Sequence, residues 1–190
     1  MNYRESSARL AEYRHQIAEL RNKMNDARAA AEPEQVADYV FSNCQGAVRL
    51  SALFGPRADL FVIHNMGSTC PYCTLWADGF NGVYDHLANR AAFVVSSPDP
   101  PAVQKGFAAS RGWRFPMVSH QGTTFASDMG YRSADGGWLP GVSVFRRDGS
   151  RILRVSDTPF CPGDDFCALW HLFDLLPQGA NDWQPKFAYA

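Results

Sequence analysis

The stretch "DLFVIHNMGSTCPYCTLWADGF", residues 59 to 80, decides how the rest of the chain is read. It opens on an apolar run that reads as a buried strand near 59 to 65. It closes on Trp76 and Phe80, which with Val83, Tyr84 and Leu87 give a helical apolar face. Cys70-Pro71-Tyr72-Cys73 stands at the junction, two thiols three positions apart. Three readings are open at this point: a redox-active dithiol, half of a metal site, or a pair of buried thiols.

The placement favours the first. A cysteine at the N-cap or first turn of a helix faces the unpaired N–H groups and the positive end of the helix dipole. Both stabilise a thiolate and lower the pKa below the free value of about 8.5. Pro71 suits the first helical turn, where its missing N–H costs nothing. Cys73, one turn further in, is shielded yet close enough to attack a mixed disulfide on Cys70. Cys70 is then the attacking thiol and Cys73 the resolving one. A metal site needs more ligands. Cys161 and Cys167 are too widely spaced for a typical zinc knuckle, although they or His64 could converge on the pair in space. No metal and no cofactor is assigned.

Composition sets the boundaries. Of 190 residues, 46% are hydrophobic and 19% charged, enough for a sizeable core and against disorder. A net charge of −1 leaves no electrostatic footprint for nucleic acid or an anionic membrane. The first residues lack the apolar core of a secretory signal, and no stretch approaches the ~20 apolar residues that span a bilayer. Five cysteines at irregular spacing are no secreted disulfide framework. The expectation is a cytoplasmic protein with no membrane or nucleic-acid partner.

Residues 3 to about 30 read as one long helix, with Leu10, Tyr13, Ile17, Leu20 and Met24 forming an apolar seam that Ala27 extends. This arm, residues 1–35, either packs on its own domain, residues 36–190, or makes a homodimer. Residues 39 to 50 read as a β-hairpin turning at "NCQG", and Ser51 as the cap of a short helical turn. "AAFVVSS" is a second buried strand, the segment from Pro101 a helix, and "FPMVSH" a short strand. A partly helical insertion follows. "GVSVFRRDGSRILRVS" is a hairpin, and a final helix is expected from Asp164-Asp165 to about 176. The glycines Gly79 and Gly82 mark a bend in the helix after the dithiol. The fold class is therefore α/β: a central mixed β-sheet flanked by helices, with an N-terminal hairpin and a long N-terminal helix.

Pro140, in "GWLPGVSVF", stands immediately before a strand, where a proline is often cis and the backbone tightly held. Trp138 is placed to wall a cleft beside the dithiol. "VIHNMGSTCPYCTLWADGF", followed far downstream by "LPGVSVFRRDG", resembles the active-site strand, CxxC helix and cis-proline hairpin of the thioredoxin-like fold. "DYVFSNCQGAVRLSALFG" and "RFPMVSHQGTTFASDMGY" resemble parts of its peroxiredoxin-like members. The whole pattern, over roughly 3 to 176, is similar to a bacterial thioredoxin-like family known as domain of unknown function 899, described as a predicted dithiol-disulfide oxidoreductase.

The resemblance implies that Cys70 and Cys73 carry the redox role on a disulfide substrate with a thiol reductant. It also implies that Pro71, Tyr72, Leu139 and Pro140 contact the substrate, Leu139 through its backbone. The Pro71-Tyr72 dipeptide matches that of glutaredoxins, whose potentials lie near about −200 to −230 mV. Two departures qualify it. Peroxiredoxins carry a Thr three residues before the reactive cysteine, with a proline upstream. Here that position is Gly67, and "VIHNMGST" has no proline, so thiol peroxidase is the alternative activity; a non-catalytic metal-binding or dimerising thioredoxin-like module is the alternative of a different class. Thioredoxins bury an acid near the resolving cysteine; Asp59 and Asp78 are the nearest in sequence, and neither position matches.

Overall fold

The computed structural model describes residues 2–189. They fall into two compact units, one ending at Glu34 and one beginning at Gln35. The first is essentially a single helix, α1 (Tyr3–Ala30). It starts at a reciprocal cap: the Asn2 side chain accepts from the Glu5 N–H at 3.0 Å, and the Glu5 carboxylate accepts from the Asn2 N–H at 3.1 Å. None of its residues is buried.

The second unit is built on an eight-stranded sheet among the described residues. In chain order its elements are β1 (Glu34–Val36), β2 (Val40–Asn43), β3 (Gly46–Arg49), α2 (Leu50–Leu53), β4 (Asp59–His64), α3 (Pro71–Gly82), α4 (Tyr84–Arg90), β5 (Ala92–Ser97), α5 (Pro101–Arg111), β6 (Met117–Ser119), α6 (Phe125–Asp128), β7 (Gly141–Asp148), β8 (Arg151–Pro159) and α7 (Ala168–Phe173). The strands lie in the order β1-β8-β7-β4-β5-β6-β2-β3. β4, β5 and β6 run parallel, as strand–helix–strand connections require, while β7 returns antiparallel beside β4. The sheet is mixed, as expected.

The central strands are apolar on both sides because each side carries a core. Along β4, Leu60 and Val62 join one cluster and Ile63 the other, with Phe61 packed against that second cluster. The first cluster brings in Phe54, Phe125 and Met129 from around α2 and α6. The second brings in Trp76 and Ala77 of α3 and Trp170 of α7, with Phe107 of α5 packed against it. Burying each such large side chain contributes about 1.5–3 kcal/mol, which is why these faces hold the helices in place.

Several expectations are met and three are corrected. The β2–β3 hairpin turns at Cys44-Gln45, and α3 ends at Gly82, with Val83 out of helical conformation before α4. Ser51 caps nothing: α2 has no side-chain cap, and Ser51 bonds Asp38 through both its N–H and its hydroxyl, each at 2.8 Å. The last helix starts at Ala168 rather than Asp164. The Asp164 carboxylate instead accepts from the N–H groups of Cys161 (3.1 Å) and Phe166 (2.9 Å) and from the Trp76 indole (3.3 Å). That side chain closes a turn, a competitor that aspartate commonly offers to helix formation.

Pro140 is the third correction. No peptide bond among the described residues is cis, so the bond preceding Pro140 is trans. The backbone around it is held without the cis form: the Leu139 N–H donates to Tyr131 C=O (3.0 Å), and Pro140 C=O accepts from Phe160 N–H (2.9 Å). The β7–β8 ladder begins one residue later, at Gly141 opposite Pro159, and trans is the default for X–Pro by about 0.5–1 kcal/mol.

Candidate active site

Cys70 is the N-cap of α3 and Pro71 its first residue. Its side chain does what a capping oxygen would, accepting the Cys73 N–H at 3.1 Å. The Cys70 carbonyl is held by the Thr74 N–H (3.1 Å) and Thr74 hydroxyl (3.0 Å). Cys73 Sγ accepts from the Met66 N–H at 3.4 Å. All five cysteines are free thiols, so the pair is in its dithiol form.

The two thiols are electrostatically unequal. The Cys73 thiol donates a hydrogen bond to Cys70 and holds its pKa down, against the upward push of burial. The N–H groups of Cys73 and Tyr72 add to the lowering, and the result is about 7. Cys73 is moved the opposite way, first by that same hydrogen bond and then by burial, far above the ordinary thiol range. Cys70 retains 8% of its surface and Cys73 only 3%. Both are buried, and the less buried of the two is the one that ionises near neutrality.

The loop 65–69 that delivers the dithiol is tied down by residues remote in sequence. Asn65 donates its N–H to Ser96 C=O, and its side chain accepts from the Gly67 N–H at 2.8 Å. The Asp99 carboxylate accepts from the Ser68 N–H at 2.8 Å. Gly67 has φ +110°, and a Cβ there would lie 3.1 Å from Asp99 Oδ1. Gly67 is thus required by backbone conformation and close approach together. Asn65 and Asp99 were not identified from sequence. The signal available was the Asp in "SSPDPP", a turn former at the end of the strand that pairs with β4.

Leu139 and Pro140 lie at the same end of the central strands as the loop that leads to the dithiol. Gly141 pairs with His64, so Pro140 sits one step past the end of β4, where the 65–69 loop departs. Leu139 is 41% exposed, but its N–H is already engaged by Tyr131. Tyr72 is half-buried and stacks on Trp170 with ring centroids 6.3 Å apart. Trp138 packs on His120 at 4.9 Å, with the Arg132 guanidinium 4.7 Å from its ring centre. Asp59 and Asp78 are engaged elsewhere. Asp59 pairs with Arg90 and Arg146, and Asp78 bonds Arg111 and the Trp113 indole.

His64 is a buried core residue. Its ring stacks between Tyr131 (3.7 Å) and Phe125 (5.3 Å), Nε2 meets Ser143 Oγ at 2.9 Å, and Nδ1 has no partner. His120 is its counterpart, with Nδ1 2.9 Å from Ser96 Oγ and Nε2 without a partner. Burial lowers the pKa of both, His120 to about 4, so both rings are neutral at pH 7. Cys161 is exposed, while Cys167 is buried against the α3 side of the sheet. Cys44 is exposed in the hairpin turn, its thiol 3.3 Å from Pro101 C=O. It lines a cleft of about 610 Å³ with Lys105 and Trp113, to which neither Cys70 nor Cys73 contributes. Among the described residues no group of three or more His, Cys, Asp and Glu side chains is placed to hold a metal ion. No helix among them is long and apolar enough to cross a membrane.

A dithiol opening the helix that follows the central strand of a mixed sheet, with a hairpin returning beside it, defines a thioredoxin-like protein. Residues 2–189 match the family described as "Bacterial protein of unknown function (DUF899)", and the chain belongs to that family. Similar solved structures are peroxiredoxins. Peroxidoxin BcpB from Mycobacterium tuberculosis is 28% identical, with a TM-score of 0.52 over 64% of this chain and 80% of that one. A peroxiredoxin Q mutant from Xanthomonas campestris is 18% identical with a TM-score of 0.54 over the same shares. A PrxQ mutant from Xylella fastidiosa is 15% identical with a TM-score of 0.58, over 70% of this chain and 89% of that one. Comparison with curated proteins gives no match.

Proposed function

We propose that the protein is a thiol–disulfide oxidoreductase acting through Cys70 and Cys73. The observation that carries this is the opposed pair of thiols: a helix-capping Cys70 with a pKa of about 7, hydrogen-bonded by a more deeply buried thiol one helical turn away. The Cys70 thiolate attacks a substrate disulfide R–S–S–R′, forming Cys70–S–S–R and releasing R′–S⁻, which takes a proton from solvent. Cys73 then gives up its proton and attacks Cys70 Sγ, leaving the Cys70–Cys73 disulfide and R–SH. The substrate gains two electrons and two protons, and the dithiol loses them. A thiol reductant completes the cycle. Pro71, Tyr72, Leu139 and Pro140 form the docking edge, and the site is assigned to the cytoplasm, where a reducing pool is at hand.

A second reading rests on the peroxiredoxin names of the similar structures. In it the Cys70 thiolate attacks a peroxide oxygen, becoming sulfenic acid and releasing water or an alcohol, and Cys73 condenses with the sulfenic acid to the disulfide and water. Gly67, where peroxiredoxins carry Thr, makes this the weaker reading. One set of assays separates the two. Reduction of a model protein disulfide should proceed in the wild type, vanish in Cys70→Ser, and give a trapped mixed disulfide in Cys73→Ser. Rapid peroxide consumption with no disulfide exchange would establish the peroxidase instead. Full disulfide-exchange activity in both serine variants would remove the dithiol from the mechanism.

A further inference from the structure

The redox chemistry leaves α1 unused, and α1 is strongly patterned. With Leu10 placed at position a of a heptad, the residues Leu10, Tyr13, Ile17, Leu20, Met24 and Ala27 fill a and d in turn over the helix. The five larger side chains are each between 44% and 58% exposed. The positions that flank such a seam are e and g. Position e holds Arg14, Arg21 and Arg28; position g holds Arg9, Gln16 and Lys23. Five of six are cationic and none is acidic. The acids fall in register elsewhere: Glu5, Glu12, Glu19 and Asp26 all occupy position c, almost across the helix from the arginine row. Arg9 is held at the seam's edge, its Nε donating to the Tyr13 hydroxyl at 2.8 Å while its guanidinium lies 5.6 Å from the ring centre.

Flanking charges select the partner of a coiled-coil seam. In a parallel pair each g residue faces the e residue five positions on in the other helix. Two copies of α1 would then set Arg9 against Arg14 and Lys23 against Arg28 of the second chain. In an antiparallel pair e faces e and g faces g, again cation against cation. A homodimer through this seam, which the apolar spacing alone invites, is therefore opposed by its flanks. A membrane surface fits less well, because the apolar stripe is only two positions in seven and the acidic row adjoins the g row.

We propose that α1 docks a partner protein through an amphipathic helix whose own seam is flanked by acidic residues. Such a helix would cover the a/d seam and neutralise the e and g rows together.

The test uses the full-length protein and two synthetic helical peptides of about four heptads, with the same Ile/Leu seam and either Glu or Lys at every e and g position. Isothermal titration at low salt should show the Glu peptide binding at least about tenfold more tightly than the Lys peptide, with the advantage shrinking as salt rises. The triple variant Arg14→Glu, Arg21→Glu, Arg28→Glu should transfer the preference to the Lys peptide. Ile17→Asp should abolish binding by either, with helix content unchanged by circular dichroism. Equal affinity for both peptides, or none for either, would overturn the proposal. So would a wild-type dimer in sedimentation that becomes monomeric in Ile17→Asp, or binding confined to anionic phospholipid vesicles.

Discussion

At the scale of single residues, the chemistry lies in the difference between two identical side chains. Cys70 and Cys73 have the same intrinsic pKa; position in the first turn of α3 separates them. Cys70 collects donors, whereas Cys73 keeps its proton, donates it in the hydrogen bond to Cys70 and is more deeply buried. Replacing Cys73 by Ala removes the largest of the lowering contributions. We expect the Cys70 thiolate midpoint, followed by ultraviolet thiolate absorbance against pH, to rise from about 7 toward the ordinary value near about 8.5. An unchanged midpoint would mean that the backbone N–H groups alone set it. His120 gives a second residue-scale prediction. Its pKa is about 4 in the folded protein and about 6.5 in an unfolded chain. Between those values the unfolded state binds a proton that the folded state does not, so stability falls as pH drops from about 6.5 to about 4 and is unaffected by this group above that window. His64 acts in the same direction. Thermal midpoints across this range should therefore fall more steeply for the wild type than for His120→Asn.

At the scale of elements, what matters is how the strand hands the dithiol to the helix. The 65–69 loop could adopt many paths; Asn65, Asp99 and the positive φ of Gly67 select one. Gly67→Ala forces a side chain into that φ region and against the Asp99 carboxylate. A loss of about 1–3 kcal/mol in urea denaturation is expected, together with slower disulfide exchange. Wild-type values for both would show the loop to be freer than its bonds imply. Gly141 plays a similar part at the start of β7, where a Cβ would overlap the Tyr131 ring and come within 2.6 Å of Thr158 C=O. The Tyr131 ring occupies that space and sets its hydroxyl 3.0 Å from the carbonyls of both Val142 and Thr158, which share its one proton.

At the scale of the whole molecule, the two units contribute unequally to stability. The residues of both hydrophobic clusters come from Val36 onward, and α1 buries none of its side chains. Deleting residues 1–31 should leave the thermal midpoint of the remaining chain within about 2–4 °C of the full-length value, since both clusters remain whole. A larger fall would mean that α1 supports the second unit directly.

Much of this was legible in the chain. Apolar runs of strand length, the Cys70-Pro71-Tyr72-Cys73 spacing after one of them, and the Asp148-Gly149 turn specify a mixed α/β sheet with a dithiol at a helix start. These are local patterns, and local patterns are set by backbone sterics and side-chain periodicity. The heptad register of α1 belongs with them. Tertiary structure decided whatever depends on a competitor from elsewhere in the chain. The Asp164 carboxylate, which ought to start a helix, closes a turn and meets the Trp76 indole. Ser51 turns to Asp38 instead of capping α2. The peptide bond before Pro140 stays trans, just ahead of β7, with backbone bonds to Tyr131 and Phe160 on either side. Asp99, 29 positions beyond Cys70, holds the loop that delivers it. Such outcomes turn on which donor meets which acceptor across long sequence separations, and only the folded chain brings them together.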